Sequence, residues 1–232
     1  MPARSSRLYC HLTFLYRRLE QILHSDQLAT GERLLDFGCA SKPYKDVFSE
    51  RYPTYIGADL AGNKSAEVVV NDDGSLPLPN DSFDCVLSSQ VLEHVREPGV
   101  YLRESFRVLR PGGSLILSTH GIWTYHPDPT DYWRWTIDGL RLQIETVGFE
   151  VIETRGIFGP ESSALQLLQD ATFYRLPSFV QPIYTWTFQR LIGLIENRHP
   201  DKLSPDASIY IVVARKPEPP NPGSRPMFQT RG

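Results

Sequence analysis

An α/β fold with a doubly wound sheet is what this chain predicts, and three observations carry it. Short apolar runs alternate with longer segments of helical period, the pattern of a parallel sheet covered on both faces. Several runs stop at a turn of small or acidic residues, after Asp36-Phe37-Gly38, at Asp59, and at Asn71-Asp72-Asp73-Gly74. A length of 232 residues suits one medium domain with a three-layer core, or one domain carrying an insertion.

Residues 8–25 set Leu12, Phe14, Leu15, Leu19, Ile22 and Leu23 among Arg17, Arg18 and Glu20, the spacing of an amphipathic helix packed on a sheet edge. Strand one is expected at 33–37, with Leu34 and Leu35 buried. A short helix over 44–52 is stopped by Pro53. Strand two spans 55–58 and ends at Asp59, strand three spans 67–70, and strand four spans 83–88. A helix over 97–109 closes at the turn Arg110-Pro111-Gly112-Gly113, and strand five follows at 114–118. Thr136 is the expected N-cap of a helix over 136–147, with Gly148 past its end. Strands six and seven fall at 150–155 and 208–215. Between them, 159–205 interrupts the alternation with two apolar, aromatic helical segments near 165–174 and 184–196, an expected insertion. Residues 217–232 are rich in Pro, Gly and charge and are expected to be a disordered tail, which leaves 1–216 as one domain.

Net charge is −3, with both signs interspersed. No basic block marks a nucleic-acid footprint, so such a partner is disfavoured. Cys10, Cys39 and Cys85 show neither metal spacing nor a disulfide framework, which suits a reducing, cytoplasmic setting. No signal-peptide pattern and no bilayer-spanning apolar stretch is expected.

Ligands of open α/β sheets sit beyond the carboxyl ends of the strands, so the polar residues there are the ones to read. The stretch Arg33-Leu-Leu-Asp36-Phe-Gly38-Cys39-Ala40 runs a buried strand into a turn whose Gly38 lets a ligand approach the backbone. It lacks the glycines of the dinucleotide fingerprint and the Gly-Lys-Ser/Thr of a P-loop. Asp59, ending strand two, can accept from both hydroxyls of a ribose; a helix cap or turn aspartate is the alternative.

The first stretch resembles motif I of class I S-adenosylmethionine-dependent methyltransferases, with Ala40 standing where a second glycine is usual. Asn71 to Pro79 resembles the family's adenine-binding loop. Asp81-Ser82-Phe83-Asp84, Ser88-Ser89-Gln90-Val91-Leu92-Glu93-His94 and Leu109-Arg110-Pro111-Gly112-Gly113 match later family motifs in order. The resemblance is to the type-11 subgroup and covers about residues 30 to 155. It implies a Rossmann-like sheet of seven strands with an antiparallel last strand. It also implies S-adenosyl-L-methionine as cofactor, held by Asp36, Gly38, Cys39, Asp59, Leu60, Asp72, Asp73, Ser89 and Gln90. Some ubiquinone-pathway members carry Glu-x-x-Glu-His and bind a divalent ion; here the first position is Gln90. No metal is expected, and His94 reads as a helix-face histidine.

The loop after strand five is the least generic region. It holds His120, Trp123, Tyr125, His126, Asp131, Tyr132, Trp133, Arg134 and Trp135, and it resembles a His-Pro-x-Pro-x-Asp-Tyr-Trp-Arg-x-Thr signature associated with glycan biosynthesis. His126 is the first candidate for a general base and His120 the second, because a histidine titrates near neutral pH. Asp131 is the third candidate, to orient a histidine or take a proton itself. Tyr125, Tyr132, Trp133 and Arg134 are expected to hold the acceptor, the aromatics by stacking and Arg134 by clamping an anion. The alternative is an aromatic cap with Asp131 and Arg134 as a structural ion pair. The helical segment around 184–196 is read as a lid, with a membrane surface or lipid-linked acceptor as the other use.

The functional expectation is methyl transfer to a small polar acceptor, foremost O-methylation of a saccharide or related metabolite. Rivals are N- or C-methylation of another small molecule, and a non-catalytic cofactor-binding partner protein. The oligomeric state is not legible.

Overall fold

The computed structural model describes residues 6–198 and 204–219. Seven strands form one sheet: β1 (Arg33–Phe37), β2 (Thr54–Asp59), β3 (Val68–Val69), β4 (Phe83–Ser89), β5 (Leu109–His120), β6 (Glu150–Ile157) and β7 (Ile209–Arg215). Their order is β3-β2-β1-β4-β5-β7-β6. The first five pair in parallel, and β7 runs antiparallel between β5 and β6. The seven-stranded sheet with its antiparallel last strand is therefore as expected.

Strand periodicity divides the core into two layers. Leu35, Phe37, Val86, Leu115 and Leu117 face α3 (Pro98–Val108) and α4 (Ile137–Thr146). Leu34, Cys85, Leu87 and Ile116 face the other way, onto Leu15, Leu19, Ile22 and Leu23 of α1 (Tyr9–Leu23). Leu34 and Leu35 are fully buried, and each such side chain contributes about 1.5–3 kcal/mol. Thr136 caps α4 as expected, its hydroxyl accepting from Gly139 N–H at 3.2 Å.

Three expected elements change. The helix over 44–52 shrinks to α2 (Lys45–Phe48). Beyond it the chain is tied by side chains instead: Arg51 donates to the Leu23, Ser25 and Leu28 carbonyls, and Tyr52 O–H to the Ala29 carbonyl. Strand three is only the pair Val68–Val69. The turn expected at 110–113 is absorbed into β5, because Gly112 N–H donates to Lys216 O and Lys216 N–H to Gly113 O, extending the pairing with the chain after β7.

The insertion between the last two strands is a helical hairpin, α5 (Pro160–Phe173) and α6 (Gln181–Arg198), which packs beside α1. The tail expected to be disordered lies, from residue 220 on, outside the described residues. Among the described residues no helix is long and apolar enough to cross a membrane.

Candidate active site

Because β1, β2 and β4 are parallel neighbours, their carboxyl ends open on one edge, and Gly38, Asp59 and Gln90 stand side by side there. Gly38 has φ +81°, and an added Cβ would lie 2.5 Å from Val91, which follows the β4 exit. The turn thus needs glycine for both backbone and packing. Ala40, where the family motif has its second glycine, also sits in the left-handed region at φ +44°, a strain of about 1–2 kcal/mol.

Asp59 is drawn into this turn. Its Oδ2 accepts from Ala40 N–H at 2.8 Å and from Asn63 Nδ2 at 2.6 Å, and its Oδ1 accepts from Leu60 N–H at 2.8 Å. Leu60 itself is exposed. Cys39 is buried against this carboxylate, with Sγ 4.0 Å from Oδ2, and burial with the Asp36 and Asp59 carboxylates pushes its thiol up to about 12. That thiol is inert. Asp36 lies beneath the turn, 2% exposed, accepting from Tyr55 O–H at 2.6 Å, and burial raises its carboxyl to about 7. Asp72 and Asp73 are exposed on the next loop, where Asp73 Oδ1 accepts from Ser75 N–H and O–H. Ser89 Oγ bonds Tyr44 O–H at 3.2 Å and Ser118 Oγ at 3.1 Å. Gln90 has φ +57°; its Nε2 donates to Ser118 Oγ, and its Oε1 is buried without a partner. An orphaned buried acceptor beside a glycine turn and a carboxylate fits a polar cofactor with hydroxyl and amino groups.

The loop after β5 closes over the neighbouring strand ends. Trp135 N–H donates to His120 O, while Tyr132 and Trp133 N–H donate to Glu93 O. Arg134 is spent within this loop. Its five N–H groups meet Trp123 O at 3.2 Å, Thr124 O at 2.6 Å, Trp133 O at 2.7 Å and both oxygens of Asp131 at 2.6 and 2.5 Å. A guanidinium has five donors, and those of Arg134 staple the loop as in the alternative reading of a structural ion pair; a clamp on an acceptor anion would need one of these partners to give way. Asp131 faces His126, as the orienting role expected of it requires, through the His126 N–H and Nδ1. Burial alone would raise its carboxyl, but Arg134 and the His126 N–H, at 2.9 Å, hold it down at about 2. As an anion it anchors the loop and sits against His126.

Three histidines converge beside it. His126 meets His94 edge to face at 4.9 Å and His120 at 5.0 Å between ring centroids. His120 is 7% exposed, stacked on Trp123 at 4.7 Å, and burial followed by the His126 charge holds its pKa well below the histidine range. His126 keeps about a third of its side chain in solvent, and burial lowers its pKa more gently. Its Nδ1 faces Thr124 O at 3.1 Å and Asp131 Oδ2 at 3.4 Å. Arg134 Nη2 lies 3.4 Å from the same nitrogen; in the tautomer that carries its proton on Nδ1, toward the two oxygens, the Nε2 lone pair is open. Trp133 donates from Nε1 to Val95 O, while Tyr125 and Tyr132 are exposed at the surface of the loop.

The sequence offers Glu93 and His94 as a metal pair, set aside because Gln90 stands where a carboxylate is usual; it does not show that His120 and His126 join them. The Glu93 side chain is fully buried, Oε2 accepting from Thr119 O–H at 2.8 Å and Oε1 lying 3.6 Å from His120 Nε2. Burial raises its carboxyl. Glu93, His94 and His126 each offer a ligand atom within 4.8 Å of the others, a grouping able to hold a cation. The spacing Gln90-x-x-Glu93-His94 hid it because the third group comes from a distant loop.

A seven-stranded sheet in this order, with a glycine turn and a carboxylate at adjacent strand ends, is the framework of the class I S-adenosylmethionine-dependent methyltransferases. The profile of a family described as a methyltransferase domain matches residues 11–154, and the chain belongs to that class. S-adenosyl-L-methionine is the methyl donor of the class. A probable S-adenosylmethionine-dependent methyltransferase of Mycolicibacterium smegmatis is 31% identical over 143 residues, covering 55% of this chain and 56% of that protein. A ubiquinone biosynthesis O-methyltransferase of Bradyrhizobium sp. is 30% identical over 115 residues, covering 44% and 46%. The match therefore spans about half the length of these curated relatives. Among solved structures, the [4+2]-cyclase SpnF superposes with a TM-score of 0.57 at 21% identity, covering 87% of this chain and 81% of that one. An Archaeoglobus fulgidus SAM-dependent methyltransferase gives 0.53 at 16%, covering 91% and 95%. Both likenesses concern the fold.

Proposed function

We propose that this chain transfers the methyl group of S-adenosylmethionine to a hydroxyl of a small polar acceptor, with His126 taking the proton. The observation that carries this reading is the placement of His126: its Nδ1 is held among Thr124 O, Asp131 Oδ2 and Arg134 Nη2, which turns Nε2 away from these partners, and about a third of the side chain stays in solvent. When bound, the sulfonium supplies an already activated methyl. What remains for the protein is to hold the donor, align the acceptor and remove a proton. Asp59, Gln90 and the Gly38 turn hold the donor in this reading, with Asp72 or Asp73 beside the adenine. Asp131 and Arg134 fix the loop that presents His126. Tyr125 and Tyr132 are exposed aromatic faces able to stack on the acceptor.

An oxygen acceptor is favoured by the O-methyltransferases among the relatives and by the neutral imidazole, since an unprotonated amine needs no base. A saccharide is one such acceptor. Supplying labelled S-adenosylmethionine with separate panels of saccharides, phenols and amines tests the proposal. Label in a hydroxyl compound, lost in His126→Ala, supports it; label in amines alone overturns it. S-adenosylhomocysteine binding without transfer to any panel member would favour a non-catalytic cofactor-binding protein.

A further inference from the structure

The α5–α6 hairpin is built with its polarity reversed. The residues that α5 buries are Ser162, Ser163, Gln166 and Gln169, and α6 buries Thr185 and Gln189 beside Ile192. Gln189 ties the pair together: its Nε2 donates to Gln166 Oε1 at 3.1 Å and Gln169 Oε1 at 3.0 Å, and its Oε1 accepts from Cys10 N–H of α1 at 2.8 Å. The solvent side is apolar. Ile183, Trp186 and Leu194 form one exposed stripe along α6, and the connection between the helices exposes Tyr174 at 75% and Phe179 at 84%. A water-soluble hairpin puts its apolar residues inward. Helices joined through glutamine, serine and threonine, with apolar residues outward, are the arrangement found where the surroundings are hydrocarbon.

From this inversion we infer that the outer face of the hairpin rests on an anionic lipid surface. Charge complementarity points to lipid of that sign. Arg175 and Arg190 are exposed on the hairpin, Arg190 over the Trp186 ring at 6.0 Å. The carboxylates nearby are turned away: Glu196 accepts from Phe158 N–H, and Asp170 pairs with Arg7 of the chain before α1. Glu161 lies at the opposite end, in the first turn of α5. Neither helix is long and apolar enough to span a bilayer, so the hairpin lies along the interface with its aromatic residues at headgroup depth. This inference is independent of the methyl-transfer reading.

The test is co-sedimentation of the full chain with vesicles of phosphatidylcholine alone and of phosphatidylcholine with phosphatidylglycerol. Binding should favour the anionic vesicles and fall roughly tenfold or more in Phe179→Glu/Trp186→Glu, while affinity for S-adenosylhomocysteine stays unchanged. Vesicles with brominated acyl chains should quench part of the tryptophan fluorescence, and that part should vanish in Trp186→Phe, which keeps the apolar stripe. Failure to bind either vesicle, or equal binding by the double variant, overturns the inference. So does a concentration-dependent dimer in the absence of lipid that the double variant abolishes, which would assign the face to a second copy of the chain.

Discussion

Asn63 donates through Nδ2 to Asp59 Oδ2 at 2.6 Å, sharing that oxygen with the Ala40 amide. A ribose reaching Asp59 therefore meets a carboxylate already aimed by its neighbours, with one lone pair on Oδ1 beyond the Leu60 bond and Asn63 able to yield. Asp59→Ala is expected to weaken S-adenosylhomocysteine binding by about 1.5–3 kcal/mol per charge-assisted bond lost. Titration calorimetry reads this directly, and unchanged affinity removes Asp59 from the cofactor site.

His126→Ala is expected to lower turnover by about 10²–10⁴-fold with cofactor affinity near that of the parent. The sign of the pH dependence follows from burial, which lowers the His126 pKa. Only the neutral imidazole accepts a proton, so the rate should climb as pH rises through a value below the usual histidine figure of about 6.5 and level off above it. A profile that falls with pH over that window excludes His126 as base. A near-normal rate in His126→Ala would move attention to His120.

Chelation separates the two uses of the His94–His126 pair. We expect methyl transfer to survive exhaustive EDTA treatment, because burial favours the protonated, neutral form of Glu93, which ligates a cation poorly. Activity lost to EDTA and restored by Zn²⁺ or Mn²⁺ would instead make Glu93, His94 and His126 a metal centre, as a set of two imidazoles and one carboxylate suits those ions.

Arg134→Ala should loosen the loop. It leaves Asp131, whose side chain is 2% exposed, with only His126 beside it among the described contacts, through the amide at 2.9 Å and Nδ1 at 3.4 Å. A stability loss of about 1–3 kcal/mol is expected, discounted because Arg134 itself is partly in solvent. Thermal unfolding measures the loss. Raised acceptor KM with unchanged S-adenosylhomocysteine affinity would place the damage in the acceptor loop; an equal loss of both would refute a local role.

The sheet was legible because burial on two faces writes itself into alternating apolar positions such as Leu34 and Leu35. The cofactor edge was legible because Gly38 and Asp59 follow their strands directly. The staple was not. That Arg134 spends every donor on Asp131 and three carbonyls depends on how the loop folds back, and a sequence shows only that a cation and an anion are three apart. The Glu93 cluster was hidden for the same reason: His126 joins Glu93 and His94 from more than thirty positions away. The apolar residues around 184–196 suggest a lid or a membrane surface, but helical spacing alone does not show that Gln166, Gln169 and Gln189 take the buried side.

Ser208 sits at a junction. Its carbonyl accepts from Gly121 N–H at 2.9 Å and faces His120 Nδ1 at 3.3 Å, and its hydroxyl bonds Ser163 Oγ of α5 at 2.7 Å. Gly121 has no room to slip there, since a Cβ would lie 2.3 Å from Ala207 O. The hairpin and the histidine loop are thus levers on one fulcrum. Ser163 of α5 and His120 of the strand end touch the same residue, so the hairpin and the residues over the strand ends are two contacts apart.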